Sequence, residues 1–142
     1  MSLNSFFLRS PQIPRKTNMP HKSVLSIGQC CADHSSISRL INQNFQVEII
    51  NADSSTEAFS LIDSKTFSLI LVNRIFDSNA ESGLDFIEKY YSKKASDSPI
   101  MLVSNFEQSQ KDALKLGAEL GFGKNALTAP DTLLKLRKHL LD

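Results

Sequence analysis

The chain reads as an α/β fold built from five strand–helix units, with a parallel five-stranded sheet covered by helices on both faces. Three observations predict this. Short apolar runs alternate along the chain with longer segments whose apolar residues recur at helical spacing. The middle run, residues 67–73, is apolar at successive rather than alternate positions, the pattern of a central strand buried on both faces. A length of 142 residues suffices for one domain with a sizeable core, and 41% hydrophobic against 22% charged residues is ordinary for a globular protein.

Each element has its own local signal. Residues 23–28, SVLSIG, form the first strand, and Asp33 or His34 opens a helix that turns Ile37, Leu40 and Ile41 inward. Residues 47–50, VEII, form the second strand. Ser54-Ser55-Thr56-Glu57 is a capping box, which starts a helix with Ala58, Leu61 and Ile62 inward. After the third strand a polar loop over 74–82 leads to Gly83 and a helix carrying Leu84, Ile87, Tyr90 and Tyr91. Residues 99–104, PIMLVS, form the fourth strand. Residues 107–116 form a short helix with Ala113, Leu114 and Leu116, closed by Gly117, and residues 119–122 form a weak fifth strand. Thr128-Ala129-Pro130-Asp131 starts the last helix, with Pro near its first position and an acid in its first turn. Leu133, Leu136, Leu140 and Leu141 supply its buried stripe. There is no internal repeat and no sign of a second domain.

Charge is unevenly placed. The net charge is +1, but residues 1–22 carry Arg9, Arg15, Lys16 and Lys22 with no acid, leaving 12 of the 16 basic residues against all 15 acidic ones, formally −3. Residues 1–22 are expected to be a flexible basic tail, and 23–142 the folded domain. A basic leader can touch acidic surfaces, yet its Pro, Ser and Asn content fits a disordered segment better than a nucleic-acid arm. No apolar run approaches the roughly 20 residues that span a bilayer, and no signal-peptide h-region is present. The only cysteines, Cys30 and Cys31, are adjacent. They cannot staple a fold, have no zinc-site spacing, and fit a reducing cytoplasm. A thiol sensor at a helix start is the sharper reading of that pair, and small semi-buried residues the plainer one.

The chemistry is expected at the carboxyl edge of the sheet, where open α/β folds gather their ligands. Asn73 ends the third strand there. An Asp in its place could attack as a carboxylate or bind a metal; neutral Asn does both poorly. It either binds a ligand or bonds neighbouring backbone.

Taken in order, SLILVN, Gly83-Leu84 after the loop, PIMLVS, Gly117-Ala118, and Lys124 seven residues beyond Gly117 resemble the receiver domain of two-component response regulators. The likeness runs from Ser23 to about Leu141. It implies the flavodoxin-like fold with strand order 2-1-3-4-5, and a signalling partner, a histidine kinase or an output protein. It also implies a site in which an acidic pair and a third-strand Asp hold Mg2+, that Asp accepts a phosphoryl group, and a hydroxyl residue and a Lys steady the phosphate. Only half of that set is kept. Ser104 matches the hydroxyl and Lys124 the lysine, while the acidic pair falls on Gly28 and Gln29 and the acceptor on Asn73. Asn125 follows Lys124 where proline is usual, and Gly121 takes the place of the aromatic switch residue, with Phe122 one position late. VNR together with GFGK is similar to an atypical receiver subgroup with Asn-Arg at the acceptor position.

These departures set the expectations. No catalytic residue, metal or cofactor is expected. Lys124 lacks its usual carboxylates, and a buried unpaired ammonium costs several kcal/mol in effect. It should therefore point into solvent or pair with a substitute acid, Asp33 or Asp77, although an N-cap and a polar turn are routine uses of those two. Gly121 and Phe122 either present an aromatic to a partner or fill the core. The reading that follows is a degenerate receiver used as a phosphorylation-independent interaction module through residues 108–115, 120–124 and the helix from Asp131. Its alternatives are a receiver phosphorylated at an unusual residue such as Asp77 or Ser104, and a small flavodoxin-like ligand binder using Gly28 and residues 121–123. The latter lacks a phosphate-cradling glycine run.

Overall fold

The computed structural model describes residues 22–141. Five parallel strands run β1 (Lys22–Ile27), β2 (Val47–Ala52), β3 (Leu69–Asn73), β4 (Ile100–Val103) and β5 (Glu119–Phe122). Five helices alternate with them: α1 (Cys31–Asn44), α2 (Ser55–Ser64), α3 (Gly83–Ser92), α4 (Glu107–Leu116) and α5 (Pro130–Leu140). The sheet order is β2-β1-β3-β4-β5, the 2-1-3-4-5 arrangement of the flavodoxin-like receiver fold. The basic leader lies outside the described residues except for Lys22. That residue is part of β1, opposite Val47, rather than of the tail.

Strand alternation divides the core into two layers. Leu25, Ile27, Ile70, Val72, Ile100 and Leu102 face α2, α3 and α4, where they meet Ala58, Ile62, Phe86, Ile87, Tyr90 and Ala113. Val24, Leu69, Leu71, Met101 and Val103 face α1 and α5, against Ile37, Ile41, Leu136 and Leu140. Every residue of β3 is buried, as expected of the strand at the centre of the sheet. Among the described residues no helix is long and apolar enough to cross a membrane.

The capping signals were legible with small shifts. Ser54 Oγ accepts the Glu57 N–H at 3.1 Å, but the Glu57 carboxylate reaches the N–H of Asp53, one residue before the cap, at 2.8 Å. Helix α1 starts at Cys31, earlier than expected, because the Cys30 sulfur accepts the Asp33 N–H at 3.4 Å. Asp33 is thus inside the first turn and is not the cap. Leu141, assigned to the buried stripe of the last helix, is exposed and follows the end of α5, and Leu114 lies on the outer side of α4.

Of the two roles expected of Gly121 and Phe122, packing in the core is the one found, and presentation of the aromatic to a partner is not. Phe122 is 3% exposed and fills the layer under α1 and α5. Gly121 presses so closely on β4 that a Cβ would lie 2.0 Å from the Leu102 carbonyl oxygen. The aromatic is core, and the glycine, which has no side chain, permits the strand contact; the Phe122 ring is not presented at the surface.

At the other end of the rim, Gly28 leaves β1 with φ +77°, and a Cβ there would lie 2.3 Å from the Phe76 ring. Phe76 comes from the long β3–α3 loop, is 1% exposed, and packs toward Phe86. The loop is tied down along its length. Asp77 N–H donates to Gly28 O at 2.9 Å, Ser78 Oγ donates to Asp53 O at 2.8 Å, and the Ser55 N–H that opens α2 donates to Glu81 at 3.0 Å. That last bond holds the Glu81 carboxyl below the ordinary glutamate range.

Gly28→Ala should cost roughly 2–4 kcal/mol, from the left-handed backbone and the ring overlap together. Phe76→Ala alone should cost roughly 3–5 kcal/mol. Urea denaturation of the double variant should show a loss smaller than the sum, because removing the ring relieves the overlap. Strict additivity would contradict the packing described.

Candidate functional site

The ends of β1, β3, β4 and β5 meet at one edge of the sheet. Asn73, the last residue of β3, is 6% exposed. Its Nδ2 donates to Gly28 O at 2.9 Å and to Ile75 O at 2.7 Å. Both partners are carbonyl oxygens, so the nitrogen of the carboxamide must face them. The nitrogen therefore bridges the β1–α1 and β3–α3 connections. A carboxylate would set three oxygens against one another at the same point.

The two positions of the acidic pair are closed as well as uncharged. Gly28 lies against Phe76, and its carbonyl already accepts from Asn73 and Asp77. Gln29 is 5% exposed, and its carboxamide has no hydrogen-bond partner among the described residues. Mg2+ requires oxygen ligands in near-octahedral array, usually with carboxylates among them. The residues here do not fit it: two neutral side chains stand for the acids, and the carboxamide nitrogen fills the point where the carbonyls converge. Among the described residues no group of three or more His, Cys, Asp or Glu is placed to hold a metal ion.

Ser104 and Lys124 occupy the rim on the other side. Ser104 Oγ accepts the Phe106 N–H at 3.1 Å and so turns the chain toward α4. Lys124 Nζ lies 2.7 Å from Asp33 Oδ2, with both side chains about one-third exposed (32% and 30%). Asp33 reaches it because Cys30, not Asp33, caps α1. The ammonium thus has a substitute acid, and the structure brings Asp33 to it but not Asp77. Asp77 is exposed in its loop and contributes its backbone N–H instead. The hydrogen bond from Lys124 is the main reason the Asp33 carboxyl titrates below the ordinary aspartate value; partial burial opposes it, and a hydrogen bond from Cys30 adds to it.

Asn125 shows why proline is absent after the lysine. Its backbone N–H donates to Asn105 Oδ1 at 3.0 Å, joining the β4–α4 and β5–α5 connections, and proline has no such hydrogen. Lys124–Ala126 forms a 3-10 turn, and the described residues contain no cis peptide.

Arg74, directly after Asn73, was passed over as a site residue by sequence reasoning. Its guanidinium lies 4.5 Å over the Phe106 ring. Together with Asn73, Ile75, Ser104, Asn105, Phe106 and Lys124 it lines a pocket of about 150 Å3 at this rim. The dipeptide Asn73-Arg74 was the available signal, but its meaning depended on Phe106, 32 positions further along the chain.

Solved structures share this fold. A response regulator from Burkholderia pseudomallei, solved with a phosphorylated aspartic acid, a calcium ion and citrate, is similar over 84% of this chain and 67% of its own, at 19% identity and a TM-score of 0.65. A Francisella response regulator receiver domain is similar over 83% of this chain and 99% of its own, at 15% identity and a TM-score of 0.65. The Vibrio cholerae chemotaxis protein CheY4 is similar over 86% of this chain and all of its own, at 17% identity and a TM-score of 0.63. Identities this low establish the fold, and leave function to be argued from the site. No family model matches the chain, and no curated protein matches it.

Two outcomes follow from the site. Asn73→Asp should lose about 2 kcal/mol at pH 7 in EDTA, since a carboxylate must face two carbonyl oxygens. The carbonyls favour the protonated acid, raising its folded pKa, so the loss should shrink as pH falls; urea midpoints at pH 7 and pH 5 read this directly. For Asp33 the sign is opposite. Its folded pKa is depressed, so the Lys124 pair contributes fully above the unfolded value of about 3.9 and fades as pH falls through the lower folded value. Carboxyl carbon NMR should place the Asp33 midpoint below about 3.9, and Lys124→Met should move it upward.

Proposed function

We propose that the chain is a degenerate receiver domain of the two-component response regulator family, acting as a phosphorylation-independent protein-interaction module in bacterial signal transduction. The observation that carries this reading is the pair of hydrogen bonds from Asn73 Nδ2 to Gly28 O and Ile75 O. They leave the acceptor position without a nucleophilic anion and fill the point at which a cation would neutralise a phosphoryl group. Packing of Phe76 under Gly28 supports the same conclusion, because an acid could not be restored there without displacing the ring. Ser104 and Lys124 keep structural work in place of phosphate contacts: one turns the chain into α4 and the other pairs with Asp33.

The partner is a signalling protein, a kinase or an output protein, and the surface is the α4–β5–α5 face. Leu114, Leu120 and Leu134, one on each of those elements, are exposed there. Apolar side chains at the centre of such a face supply contact area that polar neighbours surround. Gly121 and Phe122 contribute to it through their backbone position only.

Incubation with Mg2+ and acetyl phosphate, followed by intact mass measurement, tests the reading. The expected result is an unchanged mass. A gain of one phosphoryl group, at Asp77, Ser104 or elsewhere, would replace this reading with that of an active receiver using an unusual residue.

A further inference from the structure

We propose that the pocket between the ends of β3 and β4 is a docking site for a carboxylate side chain carried on an apolar segment of a protein partner. The proposal rests on the interaction-module reading and names the chemistry of what that module binds. The pocket, about 150 Å3 in volume, has room for a carboxylate headgroup. Two cations line it, Arg74 and Lys124, and no acid does.

Arg74 is the central group. The face of its guanidinium is used by the Phe106 ring at 4.5 Å, and no hydrogen bond or ion pair among the described residues engages its N–H edge. A stacked guanidinium is held in advance, with its forked donors free to take a carboxylate edge-on. Less freedom is then lost on binding. Lys124 is already matched by Asp33 at 2.7 Å, so the uncompensated charge at the pocket is that of Arg74 alone. A singly charged carboxylate complements it; a phosphate dianion would bring more negative charge than the site can balance. Ser104 adds a donor, because its oxygen accepts the Phe106 N–H and its own hydroxyl proton is left to give.

The surroundings specify the source of the carboxylate. Ile75 and Phe106 flank the pocket at 40% and 58% exposure. Their apolar surface would be wasted on a small free acid. It suits a peptide in which an acidic residue has aliphatic or aromatic neighbours.

The test uses the full chain, 15N-labelled, titrated with the capped peptide Ac-Ala-Leu-Glu-Phe-Ala-amide, its Gln counterpart, sodium acetate and inorganic phosphate. The Glu peptide should give saturable amide shifts centred on Ile75, Asn105, Phe106 and Lys124. The Gln peptide should bind at least about fivefold more weakly, and so should acetate, which lacks the apolar contacts. Arg74→Gln should weaken Glu-peptide binding by a similar factor while the remaining spectrum confirms an intact fold. Equal binding of the Gln peptide, shifts centred elsewhere, no saturable shifts at all, or phosphate binding more tightly than the Glu peptide at these residues would each overturn the proposal. The protein is never exposed to a phosphodonor in this experiment, so failure here leaves the mass measurement, and the reading it tests, standing separately.

Discussion

Two hydrogen bonds from one carboxamide organise the edge of this sheet. Asn73 Nδ2 lies 2.9 Å from Gly28 O and 2.7 Å from Ile75 O, so it clamps the turn after β1 to the turn after β3. In a parallel α/β sheet that crevice, where the chain order reverses, is the usual place for a ligand. Here protein fills it. Asn73 supplies the donor, Phe76 fills the space over Gly28, and Asp77, Ser78 and Glu81 tie the same loop to the turn after β1, to the β2–α2 connection and to the start of α2. The side chain at this point is neutral, and it is 6% exposed where it meets the rim pocket that Arg74, Ser104 and Lys124 also line.

The same logic explains the retained residues. Ser104 and Lys124 each have local work that needs no phosphate. Lys124 would be costly beside a neutral site if it were unpartnered. The early start of α1, with Cys30 sulfur as its cap, leaves the Asp33 carboxylate free to reach across to it. Asn125 and Asn105 likewise bridge two loops through a backbone-to-side-chain hydrogen bond. These contacts form a connected set: Asn73, Lys124 and Asn125 each have a partner at the neutral edge, while the buried Gln29 carboxamide has none among the described residues.

Much of the architecture was legible in the sequence because it depends on short-range pattern. The run at 67–73 announced a central strand, and β3 is buried throughout. Ser54 and Glu57, Gly117, and Pro130 marked helix ends correctly. Errors arose where periodicity was extended past an element or where one residue could serve two roles. Leu141 lies after the end of α5, outside the buried stripe assigned to it, and of the two roles open to Phe122 the core is the one found. At the site, the need of Lys124 for an acid followed from charge alone, but the choice of Asp33 over Asp77 depended on where α1 begins. The Phe76–Gly28 and Arg74–Phe106 contacts join residues tens of positions apart, which no local pattern specifies.

The central claim is that an amide nitrogen, and not a cation, holds the two carbonyls together. The most direct measurement is the side-chain amide resonance pair of Asn73 in 15N-labelled protein, followed through a titration with millimolar MgCl2. Two distinct protons in slow exchange with water are expected, unmoved by magnesium, with the Ile75 and Gln29 amides equally unaffected. A saturable shift of the Asn73 side chain together with the Ile75 and Gln29 amides would mean that the metal competes for those oxygens, and would contradict that claim.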